Sequence, residues 1–441
     1  MNNSVQVSDA LTRKIILRIA PLMVIMYVFN QFQRANVGYA ALTMNQELGL
    51  TAAQFGLATS FFYIGYILFE VPSNLIMHRI VARIWIARIL FTWGLASSLT
   101  GLVPNKEWLW GARFILGVFE AGLFPGMVFY MTLWLPTRNR VMLMSMFVMA
   151  IPITGTLGAP ISTLIMQHVS IFDLSGWRSM LILEGLPAVL LGFVVLAVFP
   201  DSPAKAKWLT PNELKEVESA LAAEKAQVAA SDRQASVMSV LTNGKVWALG
   251  AVYFAVNAGI IGLLYFLPQV VKGMESLYST KFSIVQVGMI SAIPFSVSIV
   301  AVFVWAKFMS KRQVSGKHVA LPMTICAAAL SSALYMPNIV ASLAVFAVGT
   351  SACFSTMVTF WQLPSRFLTG RAAAAGIAFI TSIGVTAGVA MPYAIGYLKD
   401  QSGGYSAAFT SIAVCMIVAA AVVVMLESRN RAIPAGAAAR Y

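Results

Sequence analysis

The chain has 441 residues, of which 59% are hydrophobic and only 10% are charged, and its formal net charge at pH 7 is +14. Soluble domains carry about 25% charged residues, so this composition with a mean hydropathy of +0.80 predicts an integral membrane protein. The basic residues are spread over short segments between apolar runs. That distribution fits the positive-inside bias of membrane proteins better than a nucleic-acid-binding face, so we expect no nucleic-acid partner.

Few residues are available for catalysis, metal binding or cross-linking. Cys326, Cys353 and Cys415 are widely spaced inside apolar runs, which excludes a disulfide framework and a CxxC metal site. With only three histidines and no GxxxxGK[ST] phosphate loop, the sequence argues against a membrane enzyme and an ATP-driven pump. We therefore expect no cofactor. A polar start followed by a long apolar run also predicts no cleavable signal peptide.

Apolar runs of about 20 residues, each long enough to cross a bilayer, recur along the chain. Twelve transmembrane helices are predicted, near 15–42, 53–77, 84–103, 108–134, 141–166, 178–200, 246–270, 283–307, 318–336, 339–364, 372–397 and 405–427. Between the sixth and the seventh lies the only long polar stretch, 201–243. There Thr210, placed before Pro211 and Glu213, predicts the capped start of an amphipathic helix.

The predicted fold is therefore all-α, with twelve helices in two halves of six, 1–200 and 244–441, joined by the loop 201–243. Short basic turns after the second and eighth helices, MHRIVARIW and MSKRQVSGKH, echo each other as duplicated halves would. The alternative is that any short cytoplasmic loop tends to be basic. Most of the 30 Lys and Arg fall on the N-terminal side of the membrane, which predicts cytoplasmic termini and a cytoplasmic central loop.

Two arginines and a glutamate lie where the chain should be inside the bilayer, and a charge there costs at least about 2.5 to 3.5 kcal/mol and is usually retained for function. Arg34 follows Arg18 by about 24 Å of helix, which places it in the outer half of the membrane. Arg113 enters the fourth helix from the outside. Glu120 lies two turns further on nearly the same face, about 10 Å deeper. Both arginines can thus face one cavity with Glu120 beneath them.

These residue types fit the co-transport of an organic anion with a proton. A guanidinium matches a carboxylate with a planar fork of donors and keeps its charge, whereas a glutamate can be charged or neutral. Our hypothesis is that Arg34 and Arg113 bind the substrate carboxylate and that Glu120 carries the coupled proton. Snorkelling of either arginine to the interface, and a merely neutralising role for Glu120, remain open. Glu70 and Glu184 lie near helix ends, and we favour a structural or gating role for both.

The chain resembles the anion:cation symporter family of the major facilitator superfamily over about residues 14–427. The motifs that carry the resemblance are QRANVGYA, GYILFEVPSNLI, RFILGVFEAGLFPG, FPDSPAKAKWLT, FWQLPSRFLTGRAAAAGIA and GYLKDQSGGY. It implies a monomeric, multi-pass inner-membrane symporter whose partners are a small organic acid, protons and membrane lipid. Members carry sugar acids, tartrate-like diacids, aromatic acids, and peptides or vitamins that bear carboxylates, so the resemblance does not fix the substrate.

The resemblance also places further residues at the substrate. It implies substrate contacts for Tyr66 in the second helix and for Trp361 and Gln362 in the tenth, although aromatic residues in such helices more often serve packing. In the eleventh helix, relatives often show Asn-Ser-x-Gly-Asn, but here the residues from Thr381 to Val385 read TSIGV. The loss of two amides favours a less hydroxylated or aromatic carboxylate, with Thr381 as the remaining polar contact.

A second departure concerns proton coupling. Relatives commonly read D-R-x-N in the first helix, but this chain has Gln33 before Arg34, and an amide cannot titrate. Three interpretations follow: coupling through Glu120 alone, coupling with fewer protons, or a shift towards facilitated diffusion or exchange. We prefer the first. Sodium in place of the proton also stays open.

Overall fold

The computed structural model describes residues 7–77, 79–231, 242–364 and 370–431. In these ranges the backbone is helical and forms no β-strand, so the predicted all-α class is confirmed. The α-helices are α1 (Asp9–Glu47), α2 (Ala52–Met77), α3 (Ala82–Thr100), α4 (Lys106–Glu120), α5 (Leu123–Thr132), α6 (Thr137–His168), α7 (Gly176–Val198), α8 (Pro211–Ser231), α9 (Gly244–Leu277), α10 (Ile284–Ser310), α11 (Gly316–Ser332), α12 (Ile339–Phe360), α13 (Gly370–Val385), α14 (Ala387–Ser402) and α15 (Ser406–Arg431).

Most of these helices have the length and composition of membrane spans. Within the described ranges, 11 segments are long and apolar enough to cross a membrane, and each coincides with one of the predicted spans. The remaining predicted span, 84–103, corresponds to α3, a helix of 19 residues that includes Arg83 and Arg88 and falls outside this set. The eleven spans count α4 with α5, and part of α13 with α14, as single crossings.

Exposed apolar side chains cover one face of helices such as α10. Val300, Phe303 and Val304 are largely exposed there, while Ser291 and Ser298 on the same helix are fully buried. A soluble protein would bury the apolar face and expose the serines. The reversed pattern is typical of a helix in an integral membrane protein.

Contacts divide the chain into two compact units, and residues 7–40, 61–154 and 164–231 form the first. Its helices α2 and α4 touch backbone to backbone. A Cβ added at Gly117 would lie 2.0 Å from the carbonyl oxygen of Phe62, and one added at Gly65 would lie 2.3 Å from that of Phe114. Glycine at both positions therefore allows the close approach that small residues provide between membrane helices.

The predicted helix 108–134 is divided in two. The helix α4 ends at Glu120, and α5 begins at Leu123 after Gly122, whose φ is +90°. Only glycine adopts such a left-handed conformation without strain, so Gly122 permits the break. Glu120 is consequently the last residue of α4, next to an irregular stretch of backbone.

The second unit contains residues 41–60, 155–163 and the described part of the chain from 242 onwards. Within it, the start of α2 packs closely on α14, because a Cβ at Gly396 would lie 2.1 Å from the carbonyl oxygen of Ala52. The carboxylate of Asp400 accepts hydrogen bonds from the backbone N–H groups of Ala52 and Ala53, at 3.1 and 2.8 Å. Helices α1, α2 and α6 contribute residues to both units. The predicted division into 1–200, 201–243 and 244–441 stays a prediction.

The helix predicted in the central polar stretch is confirmed as α8. Its start has the expected cap, since the backbone N–H of Thr210 donates to Glu213 Oε2 at 2.8 Å and that of Glu213 donates to Thr210 Oγ1 at 3.3 Å. Lys14 Nζ of α1 donates to Glu213 at 2.8 Å, and the N–H of Ser8 donates to Glu216. Two glutamates therefore attach α8 to the beginning of α1.

Replacing Gly117 should disturb the α2–α4 contact. We expect Gly117→Ala to lower the free energy of unfolding by about 1 to 3 kcal/mol, because the new methyl group overlaps the Phe62 carbonyl. Gly111 lies on the same helix with open space around it, so Gly111→Ala is the matched control and should be neutral or slightly stabilising. Reversible unfolding in detergent measures both, and equal effects would contradict the packing argument.

The attachment of α8 should depend on pH. The pKa of Glu213 is held below its usual range, chiefly because Lys14 donates a hydrogen bond to its carboxylate. A depressed pKa contributes stability above the unfolded value of about 4.3, and that stability is lost as the pH falls through the folded pKa. We expect Glu213→Gln to raise hydrogen exchange in the first turn of α8 at neutral pH, as acid does in the wild type.

Exchange is measured by mass spectrometry, corrected at each pH for the intrinsic rate. The matched control is Glu218→Gln, which removes an exposed carboxylate from the same helix. Unchanged exchange in Glu213→Gln would show that the capped start and the lysine contact do not hold α8.

Candidate functional site

The centre of the candidate site is an ion pair between α1 and α4. Arg34 Nε donates to Glu120 Oε1 at 2.5 Å. The Glu120 side chain is 1% exposed and that of Arg34 is 18% exposed, so this charge-assisted hydrogen bond is largely shielded from solvent. The ion pair joins two of the site residues that were predicted from the sequence.

Arg113 lies beside this ion pair through a shared aromatic ring. Its guanidinium carbon lies 4.9 Å from the centroid of the Phe62 ring, and that of Arg34 lies 5.4 Å from the same centroid. Arg113 is only 2% exposed, so the ring acts on a desolvated cation, where such contacts are strongest. Phe62 is not among the residues predicted from the sequence, although its position one turn before Tyr66 is a signal that could have identified it.

Tyr66 completes the group. The guanidinium carbon of Arg34 lies 4.8 Å from its ring centroid, and its hydroxyl donates to Glu70 Oε1 at 3.3 Å. The structure therefore brings Arg34, Arg113, Tyr66 and Glu120 together in the first unit. It also places Glu70, for which we favoured a structural or gating role, in contact with a candidate substrate residue.

Another buried glutamate lies against a different face of α1. Asn36 Nδ2 donates to Glu184 Oε2 at 2.9 Å, and Gln33 Nε2 donates to the backbone oxygen of Glu184 at 2.5 Å. All three residues are buried. Gln33 thus contacts α7, while Arg34 contacts α4.

The remaining predicted residues belong to the second unit. Trp361 follows α12, and its ring contacts Tyr253 edge to face with centroids 4.8 Å apart. Gln362 is exposed. The hydroxyl of Thr381 donates to the backbone oxygen of Ile377 at 2.8 Å, so its hydrogen is already engaged within its own helix. Among the described residues, no contact joins Thr381 to Trp361.

A metal centre finds no support in the part of the chain that the structure describes, since those ranges contain no group of three or more His, Cys, Asp and Glu that could hold an ion.

Comparison with known proteins gives the family. The model of the Major Facilitator Superfamily matches residues 23–390. The chain belongs to the major facilitator superfamily. It is therefore a transporter and not an enzyme.

Two curated relatives have names that point to metabolite transport. A protein of Agrobacterium vitis, provisionally named a tartrate transporter, is 38% identical over 94% of this chain and 94% of its own length. A protein of Pseudomonas putida, provisionally named the metabolite transport protein NicT, is 33% identical over 96% of this chain and 95% of its own.

A solved structure supports the fold. An inward-facing, occupied bacterial homologue of the human lysosomal transporter Spinster superposes with a TM-score of 0.73 at 14% identity, over 93% of this chain and 96% of that one.

The Phe62 ring contacts the guanidinium groups of both Arg34 and Arg113, which predicts that Phe62 and Arg113 are energetically coupled. In a double-mutant cycle, Phe62→Leu and Arg113→Met should be non-additive by about 0.5 to 2 kcal/mol, because each change removes the same cation–π contact. Phe61, whose ring stacks on Trp110, provides the control. Phe61→Leu combined with Arg113→Met should be additive, and equal coupling in the two cycles would contradict the assignment. Reversible unfolding of the four proteins in each cycle gives the energies.

Proposed function

We propose that this protein is a secondary transporter that moves an organic anion bearing a carboxylate together with a proton, by alternating access. In this proposal Arg34 and Arg113 bind the substrate carboxylate and Glu120 carries the proton. The observation that supports it most directly is the contact between Arg34 and Glu120, because it joins a permanent cation to a titratable acid in a shielded position.

The ion pair gives a physical route to coupling. When Glu120 is charged, it occupies the guanidinium that a substrate carboxylate needs. When Glu120 binds a proton, its attraction for Arg34 weakens and the fork of donors becomes available. Substrate binding therefore favours protonation of Glu120, and by linkage protonation favours substrate binding to the same extent. Deprotonation on the other side of the membrane would favour release.

Arg113 would supply the second positive charge. Its contact with Phe62 orients the guanidinium without neutralising it, since an aromatic ring attracts a cation through its quadrupole. Two cations close to one acid give a positive site once Glu120 is protonated. Such a site attracts the substrate anion, and the neighbouring rings of Phe62 and Tyr66 would contact the apolar part of the substrate.

The substrate class rests on the relatives and on the polar groups that are present. The relative from Agrobacterium vitis is provisionally named a tartrate transporter, which supports a carboxylate. Two features support a less hydroxylated or aromatic acid instead. The stretch from Thr381 to Val385 lacks the two amides that the family resemblance leads us to expect, and the Thr381 hydroxyl donates a hydrogen bond within its own helix. We propose Tyr66, Trp361, Gln362 and Thr381 as further substrate contacts.

The cellular setting is also part of the proposal. We infer that the protein works as a monomer in an inner membrane, with both termini in the cytoplasm and lipid around its apolar faces. The support is the excess of Lys and Arg in the segments predicted to be cytoplasmic.

A second function, uncoupled or sodium-coupled carboxylate exchange by the same fold, is favoured by one observation. Gln33 precedes the arginine at the position where the resemblance to the symporter family leads us to expect an acid, and an amide does not titrate.

The decisive measurement is uptake of labelled tartrate, gluconate and benzoate by proteoliposomes, with and without an inward proton gradient. A proton gradient of 1 pH unit is worth about 1.4 kcal/mol per coupled proton, so one proton supports about tenfold accumulation of an acid carried as a neutral complex. Equal uptake with and without the gradient would favour the uncoupled exchanger. Stimulation by sodium alone would favour sodium coupling.

Glu120→Gln should separate coupling from binding. We expect this variant to lose gradient-driven accumulation and to retain exchange of internal for external substrate, because Arg34 remains available to the carboxylate. Glu107→Gln, which changes an exposed acid on the same helix, is the control and should behave like the wild type. Loss of exchange as well would contradict a role confined to the proton.

A further inference from the structure

Glu184 is a buried acid that the proposed function does not use. It is 3% exposed and lies about two turns into α7. Two side chains of α1 contact this residue: Asn36 donates to its carboxylate, and Gln33 donates to its backbone oxygen. A buried carboxylate inside a membrane helix is costly and is therefore a candidate for function.

The positions of Gln33 and Arg34 show that Glu184 and Glu120 contact different faces of α1. Successive residues of a helix point about 100° apart, so residues 33 and 34 face different neighbours. Arg34 faces Glu120 on α4, whereas Gln33 and Asn36 face Glu184 on α7. Two acids thus flank α1 from two other helices, and the second is contacted by two amide side chains of α1.

The partners of Glu184 suit both of its protonation states. An amide has donors and an acceptor, so Asn36 can donate to the carboxylate and, after turning its amide group, accept from the protonated acid. Gln33 offers a further acceptor, because its Oε1 is buried and accepts no hydrogen bond within the described ranges. An arginine, which only donates, would serve the charged form alone.

Residues of α1 and α3 also lie near Glu184. From α1, Tyr39 interacts with it electrostatically, and the Tyr39 hydroxyl is buried. From α3, Gly94, Ser98 and Gly101 contact α7 close to this level, and none of them titrates. Arg83 of α3 reaches α7 only at Leu196 and Phe199, about 18 Å or more along the helix. Arg178, on α7 itself, donates to the backbone oxygens of Gly101 and Val103.

We propose that Glu184 is a second proton-carrying residue of the transport cycle, held by the two amide side chains of α1. The proposal rests on the proton coupling proposed above. A proton binds a carboxylate oxygen of Glu184 on the side where substrate enters and leaves it to the opposite compartment. Each cycle then moves one proton more than Glu120 alone would carry.

The test counts protons per substrate in proteoliposomes that contain the full chain. Equilibrium accumulation of labelled tartrate, gluconate and benzoate is measured against imposed pH gradients and membrane potentials. Glu184→Gln should reduce the number of coupled protons by one, which at a gradient of 1 pH unit lowers equilibrium accumulation about tenfold. Glu107→Gln, the exposed carboxylate on α4, should leave the number unchanged.

A carboxylate exchange between helices separates proton transfer from a structural role. Gln33→Glu combined with Glu184→Gln moves the acid from α7 to α1 and should restore the lost proton, which a merely structural Glu184 would not predict. If Glu184→Gln does not fold, the double variant is compared with Gln33→Glu, which differs from it only at position 184. One proton fewer in the double variant supports the proposal, and an equal number overturns it.

The outcomes for the two proposals are distinguishable. If the wild type moves no protons with any of the three acids, the proton coupling of the proposed function fails, and the role of Glu184 fails with it. If the wild type is coupled and Glu184→Gln keeps the same number of protons per substrate, the role of Glu184 alone is overturned.

Discussion

The charge balance between Arg34 and Glu120 is the constraint on which the rest of the site depends. Removing one partner of a buried ion pair typically costs about 3 to 5 kcal/mol, because the other charge is left uncompensated. The pair requires α1 and α4 to stay close, and glycines at positions 65 and 117 bring α2 against the same helix. Phe62 of α2 can therefore contact both arginines, and the cations, the acid and the aromatic rings form one group.

Much of this group could be predicted because charged residues stand out in apolar helices. Arg34, Arg113 and Glu120 follow from their depth and from the helical spacing of 113 and 120. Phe62 could not be predicted in the same way, since an aromatic residue is ordinary in such a helix. Only the structure shows that its ring contacts the guanidinium groups of Arg34 and Arg113. The end of α4 after Glu120 was also missed, although Gly122 in the FEAGLFPG motif is the residue that allows it.

Long-range partners mark the limit of reasoning from one sequence. The contacts of Glu184 come from residues about 150 positions earlier, and nothing in its own helix indicates them. For Gln33, the resemblance to the symporter family led us to expect an acid at this position, but only the structure shows that its amide contacts Glu184. Gln33 and Glu184 therefore belong to one cluster of buried side chains.

The separation of Arg34 and Glu120 along the chain has a consequence for biosynthesis. The two residues are 86 positions apart, so at about 5 to 20 residues per second the arginine is synthesised about 4 to 17 s before its partner exists. During that interval α1 must enter the membrane, or wait at its surface, without the carboxylate of Glu120. The completion of α4 is thus the point at which the ion pair can first form, and a pause in synthesis before that point would prolong the time that Arg34 spends without Glu120.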